Sequence, residues 1–150
     1  MSEREKIAMT GPEASDFLVA HSKMQLATIG RDGAPHLVSM FYAVVDGRIA
    51  FWTYRASQKA RNMQRDHRVT CLVEDGVDYF ELQGVQVRGR VEIVDDPAEV
   101  LRIGGAIAAG LSGIPEEGRD DYVAYTARKR LGYYVKPAHI SSWDHRKLSS

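Results

Sequence analysis

The chain has 150 residues, enough for one domain whose apolar core needs neither disulfides nor metals. Its 20 basic and 20 acidic side chains cancel to a formal net charge of zero, so no overall field favours nucleic acid or an anionic membrane surface. A single cysteine, Cys71 in an apolar run, excludes a disulfide framework and reads as a small core residue of a protein kept in a reducing cytoplasm.

Met1 to Thr10 alternates charges without an apolar h-region, so no signal peptide is expected, and the first ten residues read as a mobile or loosely docked arm. No apolar run approaches the roughly 20 residues that span a bilayer, so the expectation is a soluble, cytoplasmic protein. Gly11-Pro12-Glu13 opens a short helix, with Pro in its first turn and Phe17, Leu18 and His21 as a stripe, ending near Ser22. Met24 to Ile29 reads as a strand closed by the turn Gly30-Arg31-Asp32-Gly33. Pro35 to Val45 reads as one second strand, and Asp46-Gly47 as a two-residue hairpin turn into a third, Arg48 to Thr53. With no helix between them, the three are expected to form an antiparallel meander, because parallel strands need a crossover.

A helix is predicted over Ser57 to Asp66, then a strand over Arg68 to Val73 ending in the turn Glu74-Asp75-Gly76. Along Tyr79 to Val94 the large apolar residues change phase. Phe80 and Leu82 lie on even numbers, Val85, Val87, Val91 and Ile93 on odd ones. A one-residue phase change centred on a glycine predicts a β-bulge within a residue or two of Gly84. Asp95-Asp96-Pro97 caps a helix with the stripe Val100, Ile103, Gly104, Ile107 and Leu111, in which Gly104-Gly105 implies close packing against a neighbour. Gly113 and Pro115 end it, Asp120 to Arg130 reads as another helix, and Leu131 to Ile140 as the last strand. Six or so strands with helices inserted at three places predict one mainly β domain over 1–150, a small closed antiparallel β-barrel.

Several chemistries find no footing. The chain has no CxxC, no HExxH and no nucleophile elbow. Gly84 and Gly89 have phosphate-loop spacing but are followed by Arg90-Val91, and the five histidines are scattered without metal-ligand spacing. No catalytic residue stands out. The informative stretch is Phe51 to Asn62, where a strand leads through a polar loop to a helix start capped by Ser57. Lys59 and Arg61 place two cations in the first turn, where the helix dipole disfavours positive charge; a bound phosphate would account for them, and so would two solvated residues.

That stretch, Ser57-x-Lys59-x-Arg61-Asn62 followed by Arg65-Asp66-x-Arg68-Val69, resembles the cofactor-phosphate segment of the pyridoxamine 5'-phosphate oxidase-like split-barrel flavoproteins, and is most similar to their small actinobacterial branch. Many members of that branch use the deazaflavin coenzyme F420 in place of FMN. The resemblance covers about Met24 to Ile93 and continues weakly to the C-terminus. It implies an FMN-binding-type split β-barrel and a homodimer with two cofactor sites at the subunit interface. It places the cofactor ring along Val38, Ser39 and Met40, flanked by Trp52 and Thr53. It places the phosphate on Ser57, Gln58, Lys59 and Arg61 with Asn62 beside them, and brings Tyr79 or Phe80 across the dimer interface. The activity implied is hydride transfer between F420 and a small unsaturated organic substrate. An FMN-binding oxidoreductase and a non-catalytic cofactor carrier are the alternatives. The long anionic tail of F420 would want a basic groove, for which Arg55, Arg61, Arg65 and Arg68 are the candidates. Asp144-His145-Arg146 is a poor match to the Arg-x-His segment that pyridoxamine 5'-phosphate oxidases use on their vitamer, which argues against that substrate.

Overall fold

The computed structural model describes residues 1–149. Its strands are β1 (Lys23–Ile29), β2 (Pro35–Phe41), β3 (Ala43–Val45), β4 (Arg48–Tyr54), β5 (Arg68–Asp75), β6 (Gln83–Val94) and β7 (Arg130–Asp144). They form one antiparallel seven-stranded sheet in the order β2-β1-β5-β6-β7-β4-β3. The helices are α1 (Glu3–Ile7), α2 (Gly11–Ala20), α3 (Gln58–Arg65), α4 (Pro97–Ala109) and α5 (Arg119–Ala127).

The predicted strand Pro35–Val45 is two strands, and the break at Tyr42 decides the architecture. β2 pairs with β1, β3 pairs with β4, and the two lie at opposite ends of the sheet order although only Tyr42 separates them in the chain. A sheet whose end strands are consecutive in sequence has to curl round on itself. Tyr42 holds the corner: it is 2% exposed, its hydroxyl donates to the Leu18 carbonyl (2.6 Å) and its N–H to that of Ser22 (2.9 Å). Because β2 and β3 are not hydrogen-bonded to each other, the barrel is split along this seam. The expected three-strand meander is therefore two hairpin-like pairs at the two ends of the curl.

The apolar residues sort into two layers. Inside the curl pack Phe17, Met24, Leu26, Phe51, Met63, Cys71, Val85 and Tyr133, with Phe51 and Tyr133 stacked at 5.0 Å. Burial pushes the Cys71 thiol up to about 12, so it is a core residue and not a nucleophile. Outside, α4 and α5 cover β4 and β7 through Ala50, Trp52, Val100, Ile103, Ile107, Val123 and Tyr134. The α4 stripe read from the sequence is the buried face of this layer.

The bulge lies elsewhere than expected. β6 pairs without interruption through Gly84, opposite Glu74 and Trp143, and the register shifts between Arg88 and Gly89, leaving Ala138 of β7 unmatched between Pro137 and His139. Pro137 cannot donate to the ladder, which suits an irregular position. The phase change arose because the strand begins at Gln83; Tyr79–Glu81 is a 3-10 turn, so Phe80 and Leu82 do not belong to the strand's alternation. Gly84 has a different reason to be glycine: a Cβ there would sit 2.2 Å from the Trp143 ring.

The N-terminal arm carries a capped helix. Ser2 and Glu5 form the capping box of α1, Thr10 and Glu13 that of α2, and the Met9 N–H donates to the Ser142 hydroxyl (2.9 Å). The last predicted helix stops at Ala127, which frees Arg130 to open β7, and β7 runs on to Asp144. Among the described residues no helix is long and apolar enough to cross a membrane.

Gly104 and Gly105, treated alike in the sequence, differ. A Cβ on Gly104 would meet the Trp52 ring at 2.3 Å, whereas one on Gly105 meets nothing within 4 Å. Gly104→Val is expected to lower stability by about 1–3 kcal/mol through overpacking, and Gly105→Ala to raise it by about 1 kcal/mol. Urea unfolding midpoints at unchanged slope read both; a neutral Gly104→Val would show that Trp52 is not packed against α4 as described.

Candidate functional site

The split in the barrel and the start of α3 meet in one region. The Ser57 hydroxyl caps α3 by accepting the Ala60 N–H (3.2 Å), and the Thr53 hydroxyl at the end of β4 lies 3.3 Å from it. No acidic residue stands in the first turn of α3. The helix is fixed to β1 by Asn62, which is fully buried: its Nδ2 donates to the Thr28 hydroxyl (3.0 Å), and its Oδ1 accepts from Gln58 (2.8 Å) and Arg65 (3.2 Å). Asn62 is thus spent on holding α3 in place, and its effect on a ligand would pass through Gln58. An apolar residue here could not aim the helix start at the split.

Lys59 is half-buried on that first turn. Burial, with the Arg130 charge beside it, holds its ammonium below the ordinary lysine range. Arg61 is exposed. Arg130, absent from the sequence-derived set, stacks its guanidinium over the Trp52 ring (4.6 Å) and the Tyr54 ring (4.2 Å). Its buried Nε has no hydrogen-bond partner. In the sequence Arg130 reads as the end of a helix; pairing of β7 with β4, which sets Arg130 opposite Tyr54, is a long-range fact.

The other residues fall as follows. β2 is hydrogen-bonded to β1 alone, so one edge of Val38, Ser39 and Met40 offers unpaired backbone groups. Val38 and Met40 pack toward the barrel core, while Ser39 faces out and donates to Gln25 (3.0 Å). Met40 and Trp52 line one chamber of about 230 Å³ beneath α4 and α5, together with Arg130 and Tyr122. Trp52 reaches it from the α4 side of the sheet, Thr53 faces the other way and is buried. Tyr79 is not brought to this group: it is 62% exposed on the 3-10 turn before β6, against Phe80 and His145. Of the four arginines considered for a basic groove, Arg55 pairs with Asp95, Arg68 with Asp66, and Arg65 donates to the Ile29 carbonyl, leaving Arg61. Larger hollows lie outside the group. One of about 580 Å³, lined by Arg68, Arg88, Arg90 and His139, opens on the sheet face that no helix covers. No cluster of His, Cys, Asp or Glu able to hold a metal exists among the described residues.

A curled antiparallel sheet split along the seam between its two end strands, with a capped helix start beside the split, defines a split-barrel protein. The comparisons agree. The family model described as pyridoxamine 5'-phosphate oxidase matches residues 10–141, and the chain belongs to that family. A conserved hypothetical protein of Mycobacterium tuberculosis is 40% identical and superimposes with a TM-score of 0.91, covering 100% of this chain and 94% of that one. An F420 reductase is 27% identical with a TM-score of 0.61, covering 85% of this chain and 94% of that one. HutZ, a heme storage protein of Vibrio cholerae, shares the fold at 13% identity and a TM-score of 0.69, covering 88% of this chain and 94% of that one. No curated protein matches the sequence.

Two outcomes are expected from this geometry. Asn62→Ala leaves the Thr28 hydroxyl and the Gln58 amide without their partner and should cost about 1–3 kcal/mol in urea unfolding; a neutral result would remove Asn62 from its holding role. In NMR of the reductively methylated protein, Lys59 should titrate below the ordinary lysine range. In Arg130→Met it should move only part of the way back, because burial, the larger cause, remains.

Proposed function

We propose that the chain is an oxidoreductase that binds reduced coenzyme F420 and transfers a hydride to a small unsaturated organic substrate. The observation that carries this reading is Lys59. It is a half-buried cation at a helix start with no acidic partner in that turn, and its charge is opposed by burial and by Arg130. A ligand phosphate received by Lys59, Arg61, the Ser57 hydroxyl and the free N–H groups of α3 relieves that cost. The unpaired edge of β2 at Val38, Ser39 and Met40 is available to the ring's polar atoms, with Trp52 and Thr53 at the end of β4 alongside.

The bound cofactor supplies the hydride; the chain binds, orients and shields it. We also assign the helix-free sheet face to a second copy of the chain. Leu37 on that face is 66% exposed and β1, β5 and β6 present a half-buried surface beside it. In the homodimer, Tyr79 of the partner subunit would approach the ring. The buried, unreactive Cys71 is compatible with a reducing cytoplasm.

FMN is the second reading, and one observation favours it. Three of the four arginines proposed for an F420 tail are engaged within the chain, and FMN needs only the phosphate site. Fluorescence titration of the apoprotein with each cofactor decides between them. Low-micromolar F420 binding with weak FMN binding is expected; the reverse moves the protein to the FMN reading. Lys59→Ala should weaken binding about ten- to a hundredfold, as for loss of a charge-assisted hydrogen bond of about 1.5–3 kcal/mol, with the fold intact. In the wild type, affinity should fall as pH rises through the depressed Lys59 titration, since only the ammonium form holds the phosphate. Unchanged affinity in a folded Lys59→Ala variant would contradict the phosphate assignment. Bound cofactor that no unsaturated substrate oxidises would make the protein a carrier.

A further inference from the structure

The chamber beneath α4 and α5 has a feature that cofactor binding at α3 leaves unexplained. Its walls are apolar, built from Met40, Trp52, Ile107, Leu111 and Tyr122, with a single charged residue, Arg130. Arg48, Arg55, Arg68, Arg102 and Arg146 each meet a carboxylate of the chain. No described residue offers one to Arg130, whose buried Nε is without any partner. A guanidinium does not lose its proton in a protein, so Arg130 cannot escape the cost of burial by neutralising. Its guanidinium carbon lies over the Trp52 and Tyr54 rings, at 4.6 and 4.2 Å. Those ring contacts leave the group's N–H donors, which can grip a carboxylate with two parallel hydrogen bonds, without a protein acceptor at Nε. Lys59 adds a second positive charge nearby.

We infer that this chamber is a binding site for a small, largely apolar carboxylate, whose carboxylate sits on the edge of Arg130 and whose hydrocarbon part lies between Trp52 and α4. At about 230 Å³, the space is below the roughly 300–1,000 Å³ usual for drug-sized ligands, so the ligand is the size of one ring with a short side chain. The inference concerns a ligand distinct from the cofactor and does not rest on which cofactor is bound.

The test uses the full chain without cofactor. Calorimetry measures binding of trans-cinnamate and of its neutral isostere cinnamamide to the wild type, Arg130→Met, Arg130→Lys and Leu111→Trp. The wild type should prefer cinnamate by roughly ten- to a hundredfold, the range of a charge-assisted hydrogen bond. Arg130→Met should bind both equally, Arg130→Lys should keep part of the preference, and Leu111→Trp, which fills the chamber while leaving Arg130 in place, should bind neither. Equal binding by the wild type, no binding of cinnamate up to about 5 mM, or a preference that survives in Arg130→Met would each overturn the proposal. Should Arg130→Met fold poorly, an undiminished affinity in Leu111→Trp still overturns it. Titration with inorganic phosphate separates the two sites. Phosphate binding lost in Arg130→Met, with cinnamate binding unchanged, would assign Arg130 to the cofactor phosphate and overturn the carboxylate site while leaving the Lys59 reading intact.

Discussion

One residue, Tyr42, stands between the two end strands of a seven-stranded sheet. Because the chain must pass from β2 at one end to β3 at the other within that residue, the sheet is obliged to curl until its ends meet. The tyrosine ring fills the inside of the corner, and its hydroxyl and N–H are anchored to the end of α2 and the loop after it. The curl creates the barrel core, and the failure of β2 and β3 to hydrogen-bond creates the split. Everything proposed about ligands depends on that split, which exposes one edge of β2 next to the last residues of β4.

What turns the split into a site is the placement of α3. The helix is only eight residues long and too short to be stable alone. It is fixed by Met63 in the barrel core and by the buried Asn62 bridging Thr28, Gln58 and Arg65. Those contacts aim its N-terminus, with Lys59, toward the region where Arg130 and Trp52 come in from the other side of the sheet. The chain thus spends its buried polar contacts on position, while Lys59, Arg61 and Arg130 meet no carboxylate among the described residues.

The sequence reveals local punctuation well. Ser57 and Asp96 cap their helices in the structure, Asp46-Gly47 turns with positive φ at both residues, and the α4 stripe is buried against the sheet. What it hides is long-range. Nothing local in Pro35–Val45 announces that Tyr42 leaves the ladder, because its reason is the Leu18 carbonyl. Phe80 and Leu82 mimic a continuing strand by their spacing alone, for Tyr79–Glu81 is an exposed 3-10 turn. Gly84 looks like a bulge residue but answers to Trp143, its cross-strand neighbour on β7 and distant in the chain. Arg130 lies in what reads as the tail of a helix, and its partnership with Trp52 and Tyr54 exists only once β7 pairs with β4. The arginines after Ser57 read as a groove, yet Asp66, Asp95 and the Ile29 carbonyl claim three of them.

The central claim is that the start of α3 receives the phosphate of a flavin or deazaflavin cofactor. Its most direct test is a crystal structure of the protein with F420 or FMN bound. The phosphate is expected within hydrogen-bonding distance of the Lys59 ammonium and the Ser57 hydroxyl, with the ring against the free edge of β2. An ordered cofactor whose phosphate lies elsewhere, for example on Arg88 and Arg90 of the helix-free face, would contradict it.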